Sequence, residues 1–444
     1  MRALARQVTL PLVFVFASRL TASAVAVLAL NACSAPGVAA EESGVTTTHG
    51  SSSEASTTQI VPTSGEDSGE TGYGTTGWGK LLTGSQSSED VAIDHEGNII
   101  VSGDTNSSIF VTKLAPDGSV LWFLAPSGAV PYGARMATFD LGEDGSIFFV
   151  ALYWDIALNG NHYKVEDAAR TVVARVSPDG DYIWSQVLDE MIYHEGRNPI
   201  RVTPDGDVWV ATGDVLFLLK GSDGAVASTI NFGDSGTRVD AFDIDSKGNI
   251  LGASDFSVKK FSPAGEIVWE HPFMGDGVLV AGAIIDDSGD MYVRGTAVSG
   301  PLDLDGFPFA SEGSFLSKIT NDGQTAWVNG GLGESSRGAA NFALGEEHVF
   351  TVGHIPEEYT ENPYHELLLQ AFDSNSGDLA WSKKIDANQA ETSIDGVAVG
   401  ADGALAVVGT LKGTLDYGDM VSVSSSSKVG YMVYMGSPLS APVP

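Results

Sequence analysis

Between residues 90 and 436 the chain repeats one unit seven times, and no other feature restricts its fold as severely. The first copy reads "DVAIDHEGNIIVSG" and continues "IFVTKLAPDGSVLW". Val91 and Ile93 form a short alternating apolar run that leads to a Gly-Asn turn. Ile99 and Val101 form a second run that ends at Gly103. A third run holds Phe110 and Lys113, an Asp-Gly turn follows, and a fourth run closes on Trp122. Apolar residues at every second position, interrupted by turn residues, are the mark of strands, whose side chains alternate between two faces. Four short strands per copy, recurring in series, imply blades arranged around an axis. The expected fold is therefore all-β, a seven-bladed β-propeller.

The later copies begin "ATFDLGEDGSIFFVA", "IRVTPDGDVWVATGD", "AFDIDSKGNILGASD", "AIIDDSGDMYVRG", "FALGEEHVFTVG" and "VAVGADGALAVVG". First turns fall at Gly97, Gly145, Gly206, Gly248, Gly289, Glu347 and Gly403. Second turns carry Gly118, Gly180, Gly224, Gly265, Gly323 and Gly377. A tryptophan lies four residues after five of these: Trp122, Trp184, Trp269, Trp327 and Trp381. Ser228 holds that place in the third copy. The seventh copy ends near Gly436 with neither a fourth run nor a tryptophan. The missing piece stands at the other end of the repeat region, where "GYGTTGWGKLL" sets Trp78 four residues after Gly74. That segment is expected to supply the fourth strand of blade seven, pair with residues 431–435 and close the ring.

Over residues 74–436 the repeats resemble the PQQ-like and SBBP-type β-propeller repeats of bacteria. "AFDSNSGDLAW", residues 371–381, is similar to the tryptophan-docking motif of PQQ-like blades, Ala-x-Asp-x-x-Thr-Gly-x-x-x-Trp, with Ser376 in place of threonine. The resemblance implies that Trp78, Trp122, Trp184, Trp269, Trp327 and Trp381 are structural and pack between neighbouring blades. It does not bring a cofactor with it. Quinoprotein dehydrogenases typically have eight blades, and many carry a vicinal disulfide, whereas this chain has seven copies and one cysteine. No cofactor is expected, and no catalytic or metal-binding residue is assigned.

Successive first turns are separated by 48, 61, 42, 41, 58 and 56 residues, so the third and fourth blades show the compact length. The additions are "LYWDIALNGNHYKVEDAAR", "TAVSGPLDLDGFPFASEGS", "HIPEEYTENPYHE" and "LKGTLDYGDMVSVSSSSK". All four lie between the second and third strands of their blades, which places them on one face, opposite the Asp-Gly turns. Long loops on a rigid scaffold are where binding residues concentrate. Tyr153, Trp154, His162, Tyr359 and His365 are the candidates on that face, within loops 152–170 and 355–366, for an unidentified protein or glycan partner. The competing reading is that the additions are hairpins padding each blade, since "GPLDLDGFPFASEG" and "GTLDYGDMVSVSS" alternate as strands do.

A net charge of −34 argues against nucleic acid, whose affinity for proteins comes mostly from Lys and Arg at phosphates. Cys33 is the one cysteine, so no disulfide or cysteine-based zinc site can form. Arg2, Arg6 and Arg19 precede a short apolar run, residues 20–32, and Leu30-Asn31-Ala32-Cys33 resembles the lipobox of bacterial lipoproteins. The resemblance implies a signal peptide over residues 1–32 and lipidation of Cys33. Ser34 after it matches the outer-membrane sorting pattern of that family. Residues 33–73, rich in Ser, Thr, Gly and Glu, have too few large apolar side chains to offset the entropy of ordering and read as a disordered tether. Its reach would be about 35 Å. Residues 74–436 form the propeller and 437–444 a tail.

Two acidic stretches have some look of a cation loop: Asp243-x-Asp245-x-x-Gly248-Asn249 and Asp303-x-Asp305-Gly306. Neither has the closing bidentate glutamate, so both read as Asx and glycine turns. The functional expectation is a monomeric, lipid-anchored module of the bacterial cell envelope that binds or scaffolds without catalysis. The alternative is a propeller enzyme, a lyase or quinoprotein-like oxidoreductase, with its site over the central channel.

Overall fold

The computed structural model describes residues 77–436 except 107, 127–133, 167, 193–198, 233–238, 255–256, 273–277, 298–301, 305–306, 310–312, 331, 333–341, 355–366, 388–389 and 418–420. The described residues form seven four-stranded antiparallel sheets, one for each copy of the repeat. The chain enters each blade at an inner strand and steps outward strand by strand. The inner strands are Ser85–Ile93, Ala134–Leu141, Ile200–Val202, Ala241–Ile244, Val278–Ile285, Phe342–Leu344 and Glu391–Val399. Alternation on these short strands buries apolar side chains on both faces of a blade, against the blades on either side. Ile99, Val101, Phe110, Ala406, Val408 and Met432 share one such core between blades one and seven.

Blade seven closes the ring as the sequence anticipates. Its outermost strand is Gly77–Leu82, paired antiparallel to Ser422–Met435 from Gly77 opposite Met435 to Leu82 opposite Gly430. Gly79 permits this approach, because a Cβ there would lie 2.6 Å from Val421 Cγ1.

Five of the six blade tryptophans, Trp78, Trp122, Trp184, Trp269 and Trp327, rest on the second-turn glycine of the next blade. Trp122 lies on Gly180 and its Nε1 donates to the Pro178 carbonyl at 2.9 Å. Trp184 meets Gly224 and donates to Gly221 at 2.7 Å; Trp269 meets Gly323 and donates to Asn321 at 3.1 Å. Trp78 repeats the arrangement from the closing strand, on Gly118, with a 2.9 Å bond to the Pro116 carbonyl. In blade three, where Ser228 stands in the tryptophan position, Ile230 meets Gly265 instead. Gly180 has two reasons to be glycine: φ is +93°, and a Cβ would stand 2.9 Å from the Trp122 ring. Trp381 has no such turn to rest on. Blade seven is completed there by two separate chain segments. Among the described residues the Nε1 groups of Trp381 and of Trp327, which lies on Gly377, find no acceptor.

Candidate functional site

Three of the four additions fold as strands on the face where second and third strands connect. In blade two, Asp155–Leu158 pairs with Asn161–Lys164 around Asn159-Gly160, whose φ values of +51° and +73° are those of a type I′ hairpin turn. In blade five, Leu302–Leu304 pairs with Phe307–Phe309. In blade seven the second and third strands run past the blade and keep pairing, from Gly413 opposite Ser425 to Asp416 opposite Ser422.

The hairpins of blades two and seven are packed onto the ring on one side and exposed on the other. Ile156 and Leu158 are buried in the core of blade two, and Tyr163 hydrogen-bonds Ser185 Oγ at 2.9 Å. Leu415 and Tyr417 are buried in the core of blade seven beside Ala387 and Ala390. Tyr153 is 2% exposed and lies edge-on to Tyr163 at 6.2 Å, so it packs the hairpin down and offers no surface to a partner. Trp154 is half-buried against the core shared by blades two and three. His162 stands out from the hairpin, its side chain 61% exposed, with Nε2 2.8 Å from Asp155 Oδ1. Asn161 and Lys164 are exposed beside it. Tyr359, His365 and Cys33 lie outside the described residues.

The opposite face uses its charges internally. Asp245 Oδ1 accepts the N–H groups of Lys247 and Asn249 at 2.9 and 2.8 Å, and its Oδ2 accepts from Asn249 Nδ2 at 2.7 Å. The Lys260 ammonium lies 3.6 Å from the same carboxylate. Asp94 repeats the turn in blade one, with Lys113 at 3.0 Å. An Asx turn thus accounts for the first cation-like stretch, and a lysine of the third strand supplies its positive charge. In the second stretch Asp303 pairs with Pro308 in the blade-five hairpin, and Asp305 and Gly306 lie outside the described residues. Among the described residues no group of three or more His, Cys, Asp or Glu could hold a metal ion.

Sequence reasoning misses a charged network on the inner strands. Asp90 accepts the Phe139 N–H of the next blade at 3.2 Å, Asp140 accepts that of Val202 at 2.7 Å, and Asp243 accepts that of Ile285 at 2.9 Å. Each carboxylate therefore stitches its inner strand to the following one. Arg201 stands among them, its Nε 2.6 Å from Asp243 Oδ1. Burial works against the guanidinium charge, but Asp243, Asp140 and Asp90 outweigh it and hold the group above its ordinary value. Burial pushes the Asp90 carboxyl up to about 6, against the pull of the Phe139 and Val91 N–H groups and Arg201. Such perturbed groups occur at functional sites and in structural ion networks alike. Here the hydrogen bonds run from blade to blade, which makes the network a fastening.

No family model and no curated protein matches the chain. Solved structures similar to it include a catalytically inactive virginiamycin B lyase from Staphylococcus aureus with quinupristin. That pair has 12% identity over 80% of this chain and 98% of the other, with a TM-score of 0.50. BamB from Moraxella catarrhalis is 13% identical over 80% of this chain and 98% of its own, with a TM-score of 0.41. At such identities what the likeness to the lyase carries is the fold: the chain is a β-propeller.

Proposed function

We propose that this propeller is a lipid-anchored module of the bacterial cell envelope that captures a protein or glycan partner without chemistry, on the face that carries the hairpins. Cys33 is the anchor, and residues 34–73 hold the ring away from the membrane surface. The observation that carries the reading is the asymmetry of the two faces. The Asp-Gly turn face spends its charged groups on its own turns, as at Asp94 and Asp245. The other face adds hairpins to a ring that blades three and four complete without them. On the blade-two hairpin, His162 and Lys164 lie on the face opposite the packed Ile156, Leu158 and Tyr163, and Asn161 is exposed beside the turn, a polar surface set on a rigid base.

Replacing Asn161, His162 and Lys164 together by alanine tests this. Exposed substitutions change stability by only about 0.5 kcal/mol or less, so the melting temperature should hold. Recovery of the partner from detergent-solubilised envelope should fall at least roughly tenfold, about 1.4 kcal/mol of binding. Cys33→Ser, run in parallel, should leave the protein out of the detergent phase with capture intact. Full capture by the triple variant would move the site off this hairpin.

A further inference from the structure

The seam between the first and last blades holds two carboxyl groups that the stitching network does not use. Glu89 is the extra residue of a bulge in the inner strand of blade one, between Ser88 opposite Gly103 and Asp90 opposite Ser102. Asp395 is the extra residue of a bulge in the inner strand of blade seven, between Ile394 opposite Gly409 and Gly396 opposite Val408. A bulge takes a side chain out of the regular alternation and re-aims it. Two bulges in adjoining strands bring these two carboxyl groups within electrostatic reach of one another. The backbones there are close: a Cβ on Gly396 would sit 3.3 Å from Val91 Cγ1 and 3.5 Å from the Glu89 carbonyl oxygen. Further out, the Gly430 N–H of blade seven donates to Ser85 Oγ of blade one at 3.0 Å.

We propose that Glu89 and Asp395 form a proton-operated latch across this seam, closed while they hold their protons and loosened when both ionise. The groups around them favour that behaviour. Glu89 faces Asp104 from the second strand of its own blade, Asp395 from blade seven, and Ser87 and Asp90 from its own strand. Ser87 Oγ donates to it at 3.4 Å, and the charged groups that act on it most strongly, Asp104, Asp395 and Asp90, are all acidic. Asp395 accepts from Ser393 Oγ at 2.7 Å and from Thr410, and the exposed Lys428 acts on it from the third strand. Tyr431 lies within its field on the third strand. Ionising either group buries a charge, and ionising both adds repulsion across the joint that closes the ring.

The direction of the pH dependence follows. Burial raises Asp395 from 3.8 to about 6, and burial with Asp104 and Asp395 raises Glu89 well above its ordinary value. A folded state that holds protons more tightly than the unfolded one loses stability as pH rises. The latch therefore contributes fully below the ordinary carboxyl value of 3.8 and fades as pH climbs through about 6. Asp90, also raised to about 6, fades over the same range, so the amide variants of the pair are needed to isolate the seam.

Hydrogen exchange on the whole chain, corrected for intrinsic rates, reads the latch at the amides of Ser85–Ile93 and Glu391–Val399, with Ala241–Ile244 of blade four as internal reference. Between pH 5 and pH 7.5 the seam amides of the wild type should open at least tenfold more readily relative to the reference, since one unit of displaced pKa is about tenfold. Asp395→Asn and Glu89→Gln, each a neutral mimic of the protonated group, should remove most of that difference. Should one variant fail to fold, the other reads the same latch from the opposite side. A ratio in the surviving variant equal to that of the wild type, or seam amides that follow the reference at both pH values, would overturn the proposal.

Discussion

Arg201→Met should cost the fold about 3–5 kcal/mol, the usual loss when one partner of a buried charge network is removed. The substitution keeps the apolar stem but leaves Asp243 and Asp140 buried with no cation opposite them. Both carboxylates must still accept the N–H groups of the following blade, so neither can turn to solvent without unfastening an inner strand. The cost should be greatest at neutral pH. It should shrink in acid, because burial already raises the Asp140 carboxyl, which, once stranded, takes up a proton and sheds the charge that burial penalises. Adding Asp243→Asn to Arg201→Met should recover part of the loss, and denaturant midpoints over the four-variant cycle measure the coupling. A loss under about 1 kcal/mol, or one independent of pH, would mean that the network is exposed enough for water to replace Arg201.

Removing residues 77–82 should have an effect of similar size for a different reason. A chain that begins at residue 71 retains the closing strand, whereas one that begins at residue 83 leaves six backbone positions of Ser422–Met435 without their partner strand. It also loses the Trp78 ring from Gly118 and from Tyr434, which it stacks on at 5.7 Å. Burial of a large aromatic alone is worth about 3–5 kcal/mol when complete, and Trp78 is part-buried, so a loss of about 3 kcal/mol or more is expected from ring and strand together. The shorter chain should also associate, because an open edge strand is a template for pairing. Thermal unfolding and light scattering check both effects. Equal melting temperatures for the two chains would mean that Gly77–Leu82 does not close the ring.

The closing strand is legible because its signal is local and repeated. The glycine-to-tryptophan spacing of the second turns recurs at Gly74 and Trp78, and the deficit in blade seven says where that piece belongs. The type I′ hairpin of blade two carries its own sign, the Asn159-Gly160 dipeptide. Tyr153 is harder to place, since it ends one strand and begins an insertion, and only the folded-back Tyr163 decides that it is buried. The inner-strand network is less visible still. Five residues before the first turns stand Ala92, Asp140, Arg201, Asp243 and Ile284, so the repeat keeps the position but not the chemistry. Arg201 and Asp243 meet because adjacent inner strands lie side by side, a relation between blades that no single copy displays. Glu89 and Asp395 lie at opposite ends of the repeat region, and each owes its aim to a bulge. An extra residue in a strand leaves little trace in an alternation only a few residues long.

Which face holds the partner can be measured directly by photo-crosslinking in intact envelope. A photoreactive side chain placed at His162 on the blade-two hairpin or at Ser424 on the blade-seven extension samples one face, and the same group at Asp179 or Lys247 samples the other. All four positions are exposed. Capture on the hairpin face should give one discrete crosslinked product from position 162 or 424 and none from 179 or 247. The same product from 179 or 247, with none from 162 and 424, would contradict it.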